Sequence, residues 1–189
     1  MAVAAAGLSL RKGDNLEALH GGMSFPPSPV AFTRTAVGPQ LDPDVRPRVT
    51  NVNVIDFDED GLNDVLVCSA TENSVFWFRQ TSPGAWEQRL LAKDLLAPAH
   101  TTVVDIDNDG DRDVIVSVLG NLYFDNSVIG QVVLLEQVDG EFISHVILDD
   151  VRRVADVQPA DVDGDGDQDL IVAVFGYAQG RLVWLENRG

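Results

Sequence analysis

The sequence predicts an all-β chain built from repeated four-stranded antiparallel units. Three observations lead there. The nine-residue pattern Asp-x-Asp-x-Asp-Gly-x-x-Asp occurs three times, starting at Asp56, Asp105 and Asp161. Each copy runs directly into a short apolar segment rich in β-branched residues, the signature of a buried strand. The copies recur roughly every fifty residues, a period at which one repeat corresponds to one supersecondary unit.

The strands follow in order. A first strand is expected before each acidic loop, at Val49 to Ile55, Thr102 to Val104 and Val154 to Gln158. A second follows each loop, at Val65 to Val67, Val114 to Val116 and Leu170 to Val172. A third covers Val75 to Gln80, Val132 to Gln137 and Leu182 to Asn187. It brings Trp77, Leu134 and Trp184 into register, and that recurrence favours packing between units over ligand contact. A fourth, with apolar and polar positions roughly alternating as on an outer strand, is expected at Trp86 to Leu91 and Phe142 to Ile147. The third unit reaches Gly189 without one. Ala31 to Val37 has the same outer-strand pattern and is expected to belong to a preceding unit or, in a closed ring, to the last one.

Four short strands per period, with no helical periodicity between them, point to β-propeller blades. Three repeats make a partial propeller or an open arc, to be completed by further blades or by self-association. The expected organisation is an irregular lead-in at 1–28, an outer strand at 29–40, and blades at 49–98, 99–153 and 154–189.

The loops read as calcium sites. Four carboxylates in nine residues repel one another unless a cation sits among them. Acids at loop positions one, three and five turn toward one point, and a glycine at position six permits the sharp bend. The expected ligands are Asp56, Asp58, Asp60, the Leu62 carbonyl and Asp64 in the first loop. Asp105, Asp107, Asp109, the Asp111 carbonyl and Asp113 are their counterparts in the second, and Asp161, Asp163, Asp165, the Asp167 carbonyl and Asp169 in the third. Up to three Ca2+ ions are implied. No His or Cys lies in any loop, so softer metals lack their preferred donors. An EF-hand is excluded because its twelfth position, a bidentate Glu, is here Val67, Val116 or Val172.

Composition sets outer bounds. With 189 residues and 45% hydrophobic content the chain can bury a real core. A net charge of -17 leaves no basic stripe for phosphates, so nucleic acid is not an expected partner. The single cysteine, Cys68, lies in a strand and reads as a buried small hydrophobe. No apolar run approaches a membrane span, and the amino terminus lacks the leading basic region of a secretion signal.

Nothing in the motifs requires catalysis. The acids recur in every unit, whereas an active site is normally unique. His20, His100 and His145 share no spacing and read as surface or packing residues. There is no nucleophile elbow, phosphate loop or paired zinc motif. The least regular stretch, Gly120 to Asn126, is the better place for ligand contact, through Tyr123 and Phe124. Tyr177, in the corresponding loop of the third unit, is a further candidate.

On these residues the chain resembles the FG-GAP/VCBS repeat family, the calcium-loop blades of integrin alpha-chain heads and of many secreted bacterial proteins. Leu119-Gly120 and Phe175-Gly176 look like the Phe-Gly element of that repeat, and Gly180 to Asn187 looks like its later strand. The first unit departs, with Ser69-Ala70. The resemblance covers residues 29 to 189. It implies a calcium-stabilised extracellular or periplasmic scaffold for adhesion, or for binding a protein or carbohydrate ligand. The alternative it leaves open is a non-catalytic part of a larger carbohydrate-active enzyme, such as a lyase or dehydratase.

Overall fold

The computed structural model describes residues 30–38, 48–123, 126–176 and 179–189. It divides into a unit ending at Thr35 and a unit from Ala36 to Gly189. All strands lie in the second, and the described residues contain no helix. Among the described residues no helix is therefore long and apolar enough to cross a membrane.

Among the described residues, eleven strands form three antiparallel sheets. The first sheet is β1 (Val49–Ile55), β2 (Asp64–Ser69), β3 (Ser74–Ser82) and β4 (Ala85–Ala92), paired in chain order. The second repeats this meander with β5 (Pro98–Val104), β6 (Asp113–Val118), β7 (Gly130–Val138) and β8 (Glu141–Val151). The third has β9 (Val154–Ala160), β10 (Asp169–Val174) and β11 (Arg181–Leu185), with β10 in the centre. Each acidic loop joins the first strand of a sheet to the second, as the repeat pattern predicts.

The sheets pack in an open series, not a closed ring, and β6 is the hub. All six of its residues are buried. Successive side chains on a strand point to opposite faces, so a strand covered on both sides needs apolar residues at every position. Val114, Val116 and Val118 join Leu66, Cys68, Val75 and Trp77 of the first sheet in one core. Ile115 packs with Val154, Val157, Leu170 and Val172 of the third sheet in another. Cys68 is fully buried and unbridged, and burial pushes its thiol pKa up to about 12, as suits an inert core residue.

The first strands are stitched side by side by polar side chains. Asn51 Oδ1 accepts the Thr101 amide at 3.2 Å, Asn53 Nδ2 donates to the Thr101 carbonyl at 3.2 Å, and Thr102 Oγ1 donates to the Val157 carbonyl at 2.9 Å. These bonds satisfy backbone groups that no ladder reaches.

Two expectations need correction. Ala31 to Val37 forms no strand, and its residues are exposed. In an extended chain Phe32 and Arg34 would share a face, so neither face is apolar enough to bury on a sheet. The expected lead-in at 1–28, together with positions 29, 39 and 40 of the expected outer strand, lies outside the described residues. Trp184, matched in register to the 8%-exposed Trp77, is 47% exposed. Trp77 faces the second sheet, and among the described residues no further sheet covers the equivalent face of the third.

The Leu119-Gly120 and Phe175-Gly176 elements have a structural reason. The amides of Ala70, Leu119 and Phe175 donate to the carbonyls of Arg48, Ala97 and Arg153, tying the end of each second strand to the start of the first. Gly120 follows in a left-handed conformation, and a Cβ there would lie 2.4 Å from the Ile129 carbonyl oxygen. Gly84 has a similar φ but open space around it. Gly84→Ala should therefore cost about 1 kcal/mol from backbone strain alone, and Gly120→Ala about 3 kcal/mol or more. Urea unfolding of the two variants measures the difference.

Candidate metal centre

Each loop gathers three carboxylates by the same backbone device. The position-one aspartate accepts the position-six glycine amide through Oδ2: Asp56 from Gly61 at 3.0 Å, Asp105 from Gly110 at 3.1 Å, Asp161 from Gly166 at 3.2 Å. The position-five aspartate accepts the position-seven amide: Asp60 from Leu62 at 2.9 Å, Asp109 from Asp111 at 2.8 Å, Asp165 from Asp167 at 3.0 Å. These short-range turns compete well because Asp side chains mimic a backbone acceptor.

The loop glycines adopt positive φ, from 90° at Gly61 to 102° at Gly166. A second left-handed residue at position four was not foreseen: Glu59, Asn108 and Gly164, with φ of 59°, 61° and 84°. Asn and Gly at this position were the signal, and Glu59 concealed it.

As a result, Asp56, Asp58 and Asp60 each bring one oxygen within 4.8 Å of the others, as do Asp105, Asp107 and Asp109, and Asp161, Asp163 and Asp165. In the first loop Asp56 Oδ1 is buried with no hydrogen-bond partner among the described residues. A buried carboxylate oxygen without a donor is costly, and a hard cation is what such an oxygen lacks. The donor set is all oxygen, as calcium requires. Asp163 has its pKa raised, first by partial desolvation and further by Asp165 and Asp169 nearby, the strain of crowding like charges.

The ninth-position aspartates have another position. Asp64, Asp113 and Asp169 are 0, 1 and 0% exposed and stand outside the three clusters. Each, at the start of a second strand, bonds the adjacent third strand or the residues just after it. Asp113 accepts the Ile106 amide at 3.0 Å and the Gln137 amide at 2.9 Å; Asp169 accepts Val162 at 3.2 Å and Asn187 at 2.8 Å. Asp64 accepts the Gln80 amide at 2.7 Å and the Trp77 indole N–H at 2.9 Å. Burial pushes the Asp113 carboxyl up, whereas the Asn187 amide is the main cause holding Asp169 down.

Neighbouring loops also touch. Arg112 of the second loop donates to the Asp56 carbonyl and pairs with Glu59 at 2.8 Å in the first. Asn187 Nδ2 reaches the Ile106 carbonyl at 3.1 Å.

The other candidates are apart from this centre. Tyr123 is 64% exposed, with Arg48 5.5 Å over its ring and donating to its hydroxyl at 2.9 Å. Phe124, Tyr177 and His20 lie outside the described residues. His100 pairs with Asp156 at 3.0 Å and His145 with Glu136 at 2.7 Å.

A ninth-position aspartate that braces the fold behaves differently from one that only holds an ion. Asp113→Ala would orphan two amides and should cost about 2–5 kcal/mol in urea unfolding with calcium and with chelator alike. A cost seen only with calcium would mark Asp113 as a ligand alone.

No curated protein matches the chain. A family model does, over residues 56–116, which run from the first acidic loop through β2 to β5, the second loop and into β6. It describes an FG-GAP-like repeat, a unit that forms propeller blades and generally serves as a non-catalytic binding scaffold. Residues 56–116 are thus similar to an FG-GAP-like repeat, a match consistent with the repeated blades seen along the chain.

Proposed function

We propose that this chain is a calcium-stabilised, propeller-type binding module whose metal loops are structural and whose ligand contact lies where the repeats differ. The observation that carries this reading is the threefold recurrence of one carboxylate cluster on one backbone frame, with Asp56 Oδ1 buried and unpartnered. A recurrent geometry of this kind suits a repeated scaffold better than a unique reaction centre. Calcium held only by the folded state adds its binding free energy to folding.

The ligand contact is assigned to the connection between β6 and β7, with Tyr123 exposed on it. Arg48 over that ring adds a guanidinium beside an aromatic face, a pairing suited to a polar protein or carbohydrate surface. The working environment is extracellular or periplasmic, where calcium of about 0.1–1 mM fills loops of modest affinity. Adhesion is the role that joins these features.

At calcium one hundred times its dissociation constant each filled loop contributes about 2.7 kcal/mol. Two such loops should shift the midpoint of a chain this size by roughly 10–20 °C. Chelation should therefore lower the Tm by that order in calorimetry, and the Asp107→Ala/Asp163→Ala protein should lose most of the calcium response. A melt indifferent to both would remove the structural role. For the ligand, Tyr123→Ala should abolish retention on an array of immobilised glycans and extracellular proteins without changing the Tm. Equal retention would remove that connection from the binding surface.

A further inference from the structure

The three loops share a frame but not a counter-charge. In the first, the Arg79 guanidinium pairs with Asp58 and, at 2.9 Å, with Asp60. Two of the three carboxylates in that cluster thus already share one of the protein's own cations, which offsets one of their charges. Asp58 in particular holds Arg79 in its charged form, raising an already high pKa. Among the described residues no Lys or Arg lies within ion-pair distance of the clustered aspartates of the second or third loop.

The difference is written in the repeat register. Val65 pairs with Phe78, Val114 with Leu135 and Leu170 with Leu185. The next residues on the third strands, beside the ninth aspartates, are Arg79, Glu136 and Glu186. A cation thus stands in the first unit where the other two carry an acid. Arg79 leaves Asp56 Oδ1 buried and unpartnered, so the loop still has an oxygen to offer an ion. Reaching the full cluster means moving the guanidinium off Asp58 and Asp60.

We propose that Arg79 is a built-in competitor for calcium in the first loop, so that the second and third loops fill first and the first fills only as the guanidinium is displaced. This rests on the loops being calcium sites. A guanidinium about 4 Å from a divalent ion, even screened by water, weakens its binding by roughly tenfold or more. The three equivalent loops thereby become a pair with one weaker member. The weaker member adjoins the second sheet through the Arg112–Glu59 contact.

Titration calorimetry of the full chain with calcium chloride tests this. The wild type should show two tight sites and one at least tenfold weaker. Arg79→Gln should tighten the weak site by about tenfold and leave the others unchanged, whereas Arg79→Lys, which keeps the charge, should leave it weak. Trp77 bonds Asp64 beside the first loop and also borders Gly110 and Asp111 of the second, so terbium emission sensitised by this indole in an Asp107→Ala/Trp184→Phe background, with the second loop disabled, reads the first loop. Its half-saturation should move to about tenfold lower terbium in Arg79→Gln. Three equal sites in the wild type, or a weak site indifferent to Arg79→Gln, would overturn the proposal while leaving the calcium reading intact. Absence of binding at every loop would overturn both.

Discussion

A buried carboxylate secures each repeat. Asp64, Asp113 and Asp169 each reach a backbone amide near or just beyond the far end of the third strand, at Gln80, Gln137 and Asn187. Asp113 and Asp169 also hold the second residue of their own loop, Ile106 and Val162. One side chain thus fixes the loop's entry, its exit and the strand behind it. Buried charge is tolerated when it is met by donors, and these three meet backbone amides and, at Asp64, the Trp77 indole N–H as well. The remaining three acids of each loop are thereby gathered at the rim, with Arg79 already on two of them in the first loop.

That division of labour explains why the loops can be electrostatically strained without unfolding the sheets. The cores lie elsewhere, between the sheets, with β6 buried on both faces and shared by the two clusters. Polar stitching between β1, β5 and β9 aligns the first strands, and Arg112 and Asn187 carry the alignment into the loop region. Loop and core are therefore coupled through few, well-placed bonds. Ordering one loop bears on the neighbouring sheet.

Much of this was legible in the chain because it rests on local periodicity. The near-continuous apolar run of Val114 to Val118, the other β-branched runs and the Asp-Gly turns each have one structural meaning, and the strands lie where those signals put them. Other features needed the third dimension. The acidity of Asp113 suggests a ligand, and its burial and two amide partners add a bracing role that the sequence alone does not show. Arg79 reads as an ordinary strand charge until register places it against Asp58 and Asp60. Trp77 and Trp184 match in sequence but differ in cover. Ala31 to Val37 puts Phe32 and Arg34 on one face, and pairing also requires a partner edge, which a pattern cannot supply.

The central claim is that calcium in the loops stabilises whole sheets and not merely the loops. Amide hydrogen exchange tests it most directly. The account predicts that calcium slows exchange throughout β2, β6 and β10, by a common factor that reflects the stability of the entire unit. Protection confined to the amides of Gly110, Asp111, Gly166 and Asp167, with the strands unchanged, would contradict it.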